Sequence, residues 1–255
     1  MDKAKPCLTP MSTSLPLSKF AGITFHDPSL YQSIVGGLQY LSFTRLDIAF
    51  AIHKVSKFMH NPMEMNWAAV KRILRYLKHI ISHSLLIQPT ANVTLQTFSD
   101  AYWASDPDDR RSVVPIVSTK SEYKALANAA AELQWIKSVL TDLGIPSEHS
   151  PILWYDNIGA TYLTSNPIFH ACTKHIEIDF HYVRDQVLHG QLIVRFISSK
   201  HQYADALTKP LPSVRFHTLR DNLKVRSLPF RLQGRVEEQV KEKEHAATTT
   251  KSAGT

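Results

Sequence analysis

Residues 95–112 read LQTFSDAYWASDPDDRRS, a short strand that runs into an acidic loop. The alternation from Leu95 to Ser99 places every second side chain on the same face, as in a half-buried strand. Asp100 is the exception, because it puts a carboxylate in an otherwise apolar and aromatic strand. A carboxylate is rarely buried without a partner, and a metal ion is one such partner. Whether this protein is an enzyme therefore depends on whether other carboxylates reach Asp100.

Length and composition indicate one large or two small globular domains. Of 255 residues, 44% are hydrophobic and 20% are charged, as in chains that bury a core. We expect no membrane span, because no window approaches about 18 consecutive apolar residues. The N-terminus lacks the apolar core of a secretory signal. Two cysteines, Cys7 and Cys172, cannot form a disulfide framework, so we expect a reducing intracellular setting, the cytoplasm or the nucleus.

The basic character of the chain favours an acidic partner. A net charge of +7 and a pI near 9.3 are typical of nucleic-acid-binding domains. The clearest helical pattern, over residues 63–80, has a basic face opposite its apolar stripe. That face consists of Lys71, Arg72, Arg75 and Lys78. It is either a solvated face or a phosphate-contacting surface, and the overall charge favours the second slightly.

Hydrophobic periodicity predicts helices in the first part of the chain. They are expected from Asp27–Pro28 onwards, over 47–60 and over 63–80. Residues 1–28 are rich in proline and serine, so we expect them to be extended or loosely ordered and flexible.

Strands and helices alternate in the later part of the chain, which predicts an α/β fold. The expected elements are a β-hairpin over 85–87 and 93–103 with its turn at 89–92, a long helix over 118–143 capped by Ser118 or Thr119, a strand over 152–155, helices over 158–164 and 175–188, a strand over 191–197 and a short helix from Gln202 to Lys209–Pro210. Residues 226–255 are charged and poor in apolar residues, so we expect a disordered tail.

Four carboxylates occupy comparable positions in this pattern, at strand ends and helix starts. They are Asp100, Glu122, Asp156 and Asp205. Such positions meet at one edge of an α/β sheet. Four carboxylates close together repel one another unless divalent metals neutralise them, as in a two-metal phosphodiesterase. Singly, each has another explanation, since Glu122 could complement the helix dipole and Asp156 could cap a following helix.

Several segments resemble a known family. FSDAYWASDPDDRRS, SEYKALANAAAELQWIKSVLTDLGI, LWYDNIGATYLTSNPIFHACTKHIEIDFHYVRDQV and QYADALTKPL are similar to the ribonuclease H domain of copia-type LTR-retrotransposon Pol polyproteins. The upstream YQSIVGGLQYLSFTRLDIAFAIHKVSKFMHNP and NWAAVKRILRYLKHI resemble the end of the reverse transcriptase of the same polyprotein. The resemblance covers about residues 5–225. It implies a helical reverse-transcriptase tail over 29–90, followed by a ribonuclease H-like mixed sheet flanked by helices over 91–225.

The resemblance also implies an activity. Asp100, Glu122, Asp156 and Asp205 match the metal-binding carboxylates of ribonuclease H, which cleaves the RNA strand of RNA–DNA hybrids with two Mg²⁺ ions, or Mn²⁺. Lys174 and His175 are then expected to face a phosphate backbone. His201, four residues before Asp205, could shuttle a proton or could be a surface histidine.

A zinc site was weighed against this interpretation. His170, Cys172, His175 and His181 lie close together in sequence, but their spacings fit no established zinc finger. We therefore expect no zinc there.

The chain departs from the family pattern at two points. The Tyr-x-Asp-Asp turn of the polymerase is absent, so we expect no DNA synthesis by this chain alone. A hairpin that family members carry between Ser112 and Ser118 is also missing. Losing two strands lets the carboxylates still converge but leaves about three strands, with the Asp100 strand at the edge. We therefore expect an impaired ribonuclease H; the alternative is a catalytically inactive nucleic-acid-binding remnant.

Overall fold

The computed structural model describes residues 4–13, 17–18, 22–89, 94–100, 116–145, 149–156 and 177–227, with only the backbone at 116–123, 177 and 180. In chain order the helices are α1 (Pro28–Ser42), α2 (Ala49–Ser56), α3 (Glu64–His79), α4 (Ile116–Asp142), α5 (Glu177–Leu188), α6 (Asp205–Thr208) and α7 (Ser213–Asn222). The strands are β1 (His83–Leu85), β2 (Gln96–Ser99), β3 (Ile152–Tyr155), β4 (Ile193–Phe196) and β5 (Val225–Ser227), and 3-10 turns cover Leu46–Ile48 and Ser199–His201.

The first three helices pack around one apolar core. α1 begins where expected, because the Asp27 side chain accepts a hydrogen bond from the Leu30 amide and Pro28 occupies the first turn. α3 spans 64–79 against a predicted 63–80, and its apolar stripe faces inwards. The predicted 47–60 helix is shorter, since α2 ends at Ser56.

A second core lies between a three-stranded sheet and two helices. The sheet has the order β2-β3-β4. Residues of α4 and α5 pack against its buried positions, which include Leu153 and Tyr155. Among the described residues β2 is an edge strand of this sheet. Both strand pairs are parallel, where a mixed sheet was expected.

The predicted hairpin between 85–87 and 93–103 is wrong. β1 pairs antiparallel with β5, while β2 joins the other sheet beside β3. β5 becomes available to β1 because Lys224 adopts a left-handed φ of 60°, which turns the chain out of α7. Neither α7 nor β5 was predicted from the sequence.

The end of the described chain returns to the first core. Four apolar residues of this segment pack among α1–α3, namely Ala206, Leu211, Phe216 and Leu219. These residues fall within the stretch 91–225 that resembles ribonuclease H. The segment therefore bridges the first core and the sheet.

Part of the N-terminal segment packs in the first core. Cys7, Met11 and Leu17 are buried in the first core. Phe25 stacks on Trp67 with ring centroids 4.8 Å apart. The apolar side chains of this segment thus provide packing that its proline-rich composition did not predict.

The long helix begins two residues earlier than predicted. Since α4 starts at Ile116, Ser118 and Thr119 lie inside its first turn and do not cap it. At its other end Gly144 has a φ of +75°, which permits the turn that stops the helix. The predicted helix over 158–164 and most of the 226–255 tail lie outside the described residues.

Candidate functional site

Asp100 and Asp156 leave the same edge of the parallel sheet at the same level. The register pairs Ser99 with Tyr155, and each aspartate is the next residue of its strand. Neighbouring strands lie about 4.8 Å apart. The two carboxylates therefore come from adjacent positions at the carboxyl ends of β2 and β3, where α/β proteins place their sites.

Gln202 attaches the chain that follows β4 to this edge. Its Nε2 donates to the Ser99 carbonyl oxygen at 3.0 Å, and its Oε1 accepts from the Ala204 amide at 3.3 Å. The side chain is completely buried. Beside it, the Tyr203 ring lies 4.6 Å from that of Phe98. These contacts hold α6 at the sheet edge, with Asp205 in its first turn.

Asp100 and Asp205 share one cation. The Lys209 Nζ lies 3.1 Å from Asp100 Oδ2 and 2.7 Å from Asp205 Oδ1. Both carboxylates are nearly buried, with exposed side-chain fractions of 8% and 3%. Since one ammonium group touches both, the two carboxylates are close neighbours. Two like charges at low exposure need such compensation.

Further donors complete the environment of the pair. Thr208 Oγ1 donates to Asp100 Oδ2 at 2.5 Å. The Arg215 guanidinium donates both to Asp205 Oδ2 and to the Ser199 carbonyl oxygen. Ser199 Oγ in turn lies 3.4 Å from Asp156 Oδ2. A chain of polar contacts thus connects Asp205 with Asp156 through Arg215 and Ser199.

Lys209 is held in its charged form. Burial lowers the pKa of its ammonium, but the hydrogen bond to Asp205 and the charge of Asp100 outweigh this, so the pKa is raised above the usual value. The site therefore carries a positive charge between the two aspartates at neutral pH.

The structure brings together some of the predicted site residues. Asp100 and Asp205 meet, and Asp156 lies at the same edge. The backbone of Glu122 lies in the second turn of α4, and its side chain is outside the described part. Within the described residues, no group of three or more His, Cys, Asp or Glu side chains could hold a metal ion.

The donor chemistry of the pair nevertheless suits magnesium. Mg²⁺ prefers carboxylate oxygens and is often bound by one or two carboxylates plus water and phosphate oxygens. Asp100 and Asp205 supply such oxygens in a nearly dry place. Their negative charge is matched by Lys209 and Arg215, so a metal would take over a role that these side chains fill.

The structure describes only some of the other residues to which the sequence pattern assigned a role. Lys174 and His175 lie outside the described residues, as do His170 and Cys172. His201 is exposed, and its Nδ1 lies 3.0 Å from Ser198 Oγ. That contact fits the interpretation as a surface histidine.

Three side chains of the site were not predicted from the sequence to belong to it. Lys209 had a signal, because it follows Asp205 at the i, i+4 spacing of a helical ion pair. Gln202 and Arg215 had none, since they act on residues distant in sequence or across a loop.

The basic face of α3 is partly covered by the N-terminal segment. Arg72 donates to Thr9 through two of its nitrogens, at 3.1 Å and 2.8 Å. Arg75 directs both Nε and a terminal nitrogen at the Cys7 sulfur. Lys71 and Lys78 are exposed. A phosphate-contacting surface on α3 would therefore rest mainly on these two lysines.

The chain is similar to retrovirus-related Pol polyproteins of plant transposons. The chain is 41% identical to the retrovirus-related Pol polyprotein from transposon RE2 of Arabidopsis thaliana over 89% of its length and 17% of that protein. It is 42% identical to the RE1 polyprotein of the same plant, over 90% of the chain and 17% of the relative. It is 32% identical to the polyprotein from transposon TNT 1-94 of Nicotiana tabacum, over 87% of the chain and 19% of the relative. No protein-family model and no solved structure matches the chain.

The chain thus spans less than a fifth of these relatives. No helix among the described residues is long and apolar enough to cross a membrane. With this identity over most of its length, the chain belongs to the retrovirus-related Pol polyproteins of copia-type transposons and corresponds to a part of one.

Proposed function

We propose that the part of the chain from residue 91 to 225 acts as a ribonuclease H-like nuclease of reduced activity, directed at the RNA strand of RNA–DNA hybrids. The observation that carries this proposal is the meeting of Asp100 and Asp205, with Asp156 beside them, at the carboxyl edge of a parallel sheet. Carboxylates that converge from three separate segments, two of them nearly buried, are what a metal-dependent nuclease requires.

In this proposal Asp100, Glu122, Asp156 and Asp205 would hold two Mg²⁺ or Mn²⁺ ions. When bound, such ions activate a water molecule and stabilise the leaving oxygen of a phosphodiester. The contacts of this chain serve to position the ligands: Gln202 holds α6 against β2, and Arg215 orients the Asp205 carboxylate. Lys71 and Lys78 on α3, together with Lys174 and His175, would bind the backbone of the hybrid.

Reduced activity follows from the small sheet. Three strands give Asp100 an edge strand without a neighbour on its outer side among the described residues. An edge strand is held by one ladder of hydrogen bonds, so the position of its last residue is less firmly fixed. Since a displacement of about 1 Å costs a catalytic centre roughly a hundredfold in rate, a loosely held ligand suffices to impair catalysis.

The second candidate is an inactive nucleic-acid-binding remnant. It is favoured by the two basic side chains, Lys209 and Arg215, that already neutralise the Asp100–Asp205 pair. A site so compensated is stable without metal. The net charge of +7 would then serve binding alone.

Cleavage of a labelled RNA–DNA hybrid separates the two candidates. We expect slow, Mg²⁺-dependent cleavage by the wild type that is lost in Asp100→Asn, a variant that keeps the shape of the side chain and removes its charge. Asp142→Asn, which changes an exposed carboxylate at the end of α4, is the matched control and should cleave like the wild type. Salt-sensitive binding without cleavage at any Mg²⁺ or Mn²⁺ concentration would reject the nuclease and favour the remnant.

A further inference from the structure

The position of Lys209 between two carboxylates has two consequences for the protein. Its ammonium bridges Asp100 and Asp205, at 3.1 Å and 2.7 Å, and so stabilises a pair of nearly buried carboxylates. Yet a divalent cation held by this pair would need the same two carboxylates that Lys209 contacts. If the chain binds metal as in the proposed function, Lys209 must respond when a metal ion approaches the two carboxylates.

We propose that Lys209 is an internal competitor for the divalent metal: its ammonium holds the Asp100–Asp205 pair together in the metal-free protein and must leave before a metal can be bound by both carboxylates. Lys209 thereby sets the metal concentration at which the site is filled. It is a positioning residue that acts on the two aspartates and has no assigned contact with substrate.

Geometry makes the two cations mutually exclusive. Mg²⁺ binds oxygen at about 2.0–2.1 Å and needs nearly ideal octahedral directions. An ammonium in hydrogen-bond contact with both carboxylates lies in the space between them, where a metal shared by the two would sit. Two adjacent positive charges would also repel strongly at this low exposure.

Lys209 has the freedom that a displaceable cation requires. Its side chain is 45% exposed, whereas the two aspartates are almost fully buried. It follows the last residue of α6 in an extended conformation, so its stem is not held within a helical turn. Asp205 Oδ2 also accepts from Arg215 and Asp100 Oδ2 from Thr208, so each carboxylate has a partner besides Lys209. The pair therefore keeps other partners during the exchange.

Among the residues that the structure describes, the other charged groups near the pair do not share this position. Arg215 touches only Asp205 of the two, through the oxygen that Lys209 leaves free. Lys200 is exposed on the neighbouring 3-10 turn Ser199–His201. Lys200 therefore provides a control of equal charge close in the sequence.

The test is a titration of MgCl₂ and of MnCl₂ into the full chain, followed by calorimetry, for the wild type, Lys209→Met and Lys200→Met. We expect Lys209→Met to bind either metal roughly tenfold more tightly, because one competing positive charge is gone, and Lys200→Met to bind like the wild type. A second readout is thermal unfolding. Without metal Lys209→Met should melt below the wild type, and saturating Mg²⁺ should raise its melting temperature more than that of the wild type.

If Lys209→Met does not fold without metal, Lys209→Gln keeps a hydrogen-bonding head group without the charge and should show the same gain in affinity. An unchanged or weaker metal affinity in both variants, or no binding in any of the proteins, would overturn the proposal. The nuclease can fail independently, since tighter metal binding by Lys209→Met in a chain that cleaves no hybrid supports the competitor and rejects only the catalytic function.

Discussion

Gln202 donates a hydrogen bond from Nε2 to the carbonyl oxygen of Ser99 at 3.0 Å, across 103 positions of sequence. The amide is completely buried, and its Oε1 is used by the Ala204 backbone. This neutral side chain, together with the contact of Tyr203 with Phe98, attaches the segment that carries Asp205 to the strand that leads to Asp100. The carboxylates supply the charge of the site, and uncharged residues contribute to its geometry.

Replacing Gln202 by alanine should separate the two aspartates. The substitution leaves the Ser99 carbonyl and the Ala204 amide without this partner in a buried place, which costs about 1–3 kcal/mol in free energy of unfolding. Urea denaturation measures the loss. Gln134→Ala is the control, because Gln134 makes a similar amide contact, to the Gln191 carbonyl oxygen at 3.2 Å, at an exposed position. Equal effects of the two substitutions would contradict the role given to Gln202.

The elements of the fold were more predictable than their partners. Residues 152–155 form β3 as expected, and α3 differs from its predicted bounds by one residue at each end, because local periodicity determines both. Which strand lies beside β1 is a long-range choice, and the predicted hairpin failed there. In the site, Asp100 and Asp205 could be named from their positions. Arg215 could not, since only the path of the chain after Pro210 brings it to Asp205.

A second buried network should make the protein sensitive to alkaline pH. Tyr76 is fully buried, and its hydroxyl donates to Asp47 Oδ2 at 2.5 Å, while Arg45 holds the same carboxylate through two nitrogens. Burial, and then the charge of Asp47, raise the pKa of Tyr76 well above its ordinary value. The unfolded chain therefore ionises first, and stability falls as the pH rises above about 10.

The variant Tyr76→Phe tests this pH dependence. It should lose about 1–2 kcal/mol at neutral pH, because Asp47 loses a hydrogen bond, and its stability should decline less steeply above pH 10 than that of the wild type. Tyr40→Phe changes a side chain that is 81% exposed and should alter neither quantity. Urea unfolding between pH 7 and pH 11 measures both. An identical alkaline decline in Tyr76→Phe and wild type would show that another group is responsible, and Tyr31, whose pKa burial also raises, would be examined next.

The two halves of the basic face of α3 should differ in nucleic-acid binding. Lys71 and Lys78 are exposed, whereas Arg72 and Arg75 donate to Thr9 and Cys7 of the N-terminal segment. We expect the double variant Lys71→Ala/Lys78→Ala to bind a hybrid more weakly and with a salt dependence reduced by about one to two phosphate contacts. Arg72→Ala/Arg75→Ala should instead lower the melting temperature and leave the salt dependence unchanged. Fluorescence anisotropy over a salt series distinguishes them, and a reversed pattern would place the phosphate contacts on the arginines.

Helix α4 should be a site of self-association. Trp135 is 64% exposed on this helix, two residues after Leu133, which is buried in the second core. The next residue, Ile136, is also exposed, at 37%, and adjoining exposed apolar side chains favour contact between molecules. Trp135→Lys should reduce light scattering at high protein concentration and leave the melting temperature within a few degrees of the wild type, because no buried contact is lost. Leu133→Lys is the comparison variant. It places the same charge in the buried core, so it should unfold the sheet and increase scattering. If Trp135→Lys lowered the melting temperature as strongly, Trp135 would belong to a packed contact in solution and the exposed face would not be the cause of association.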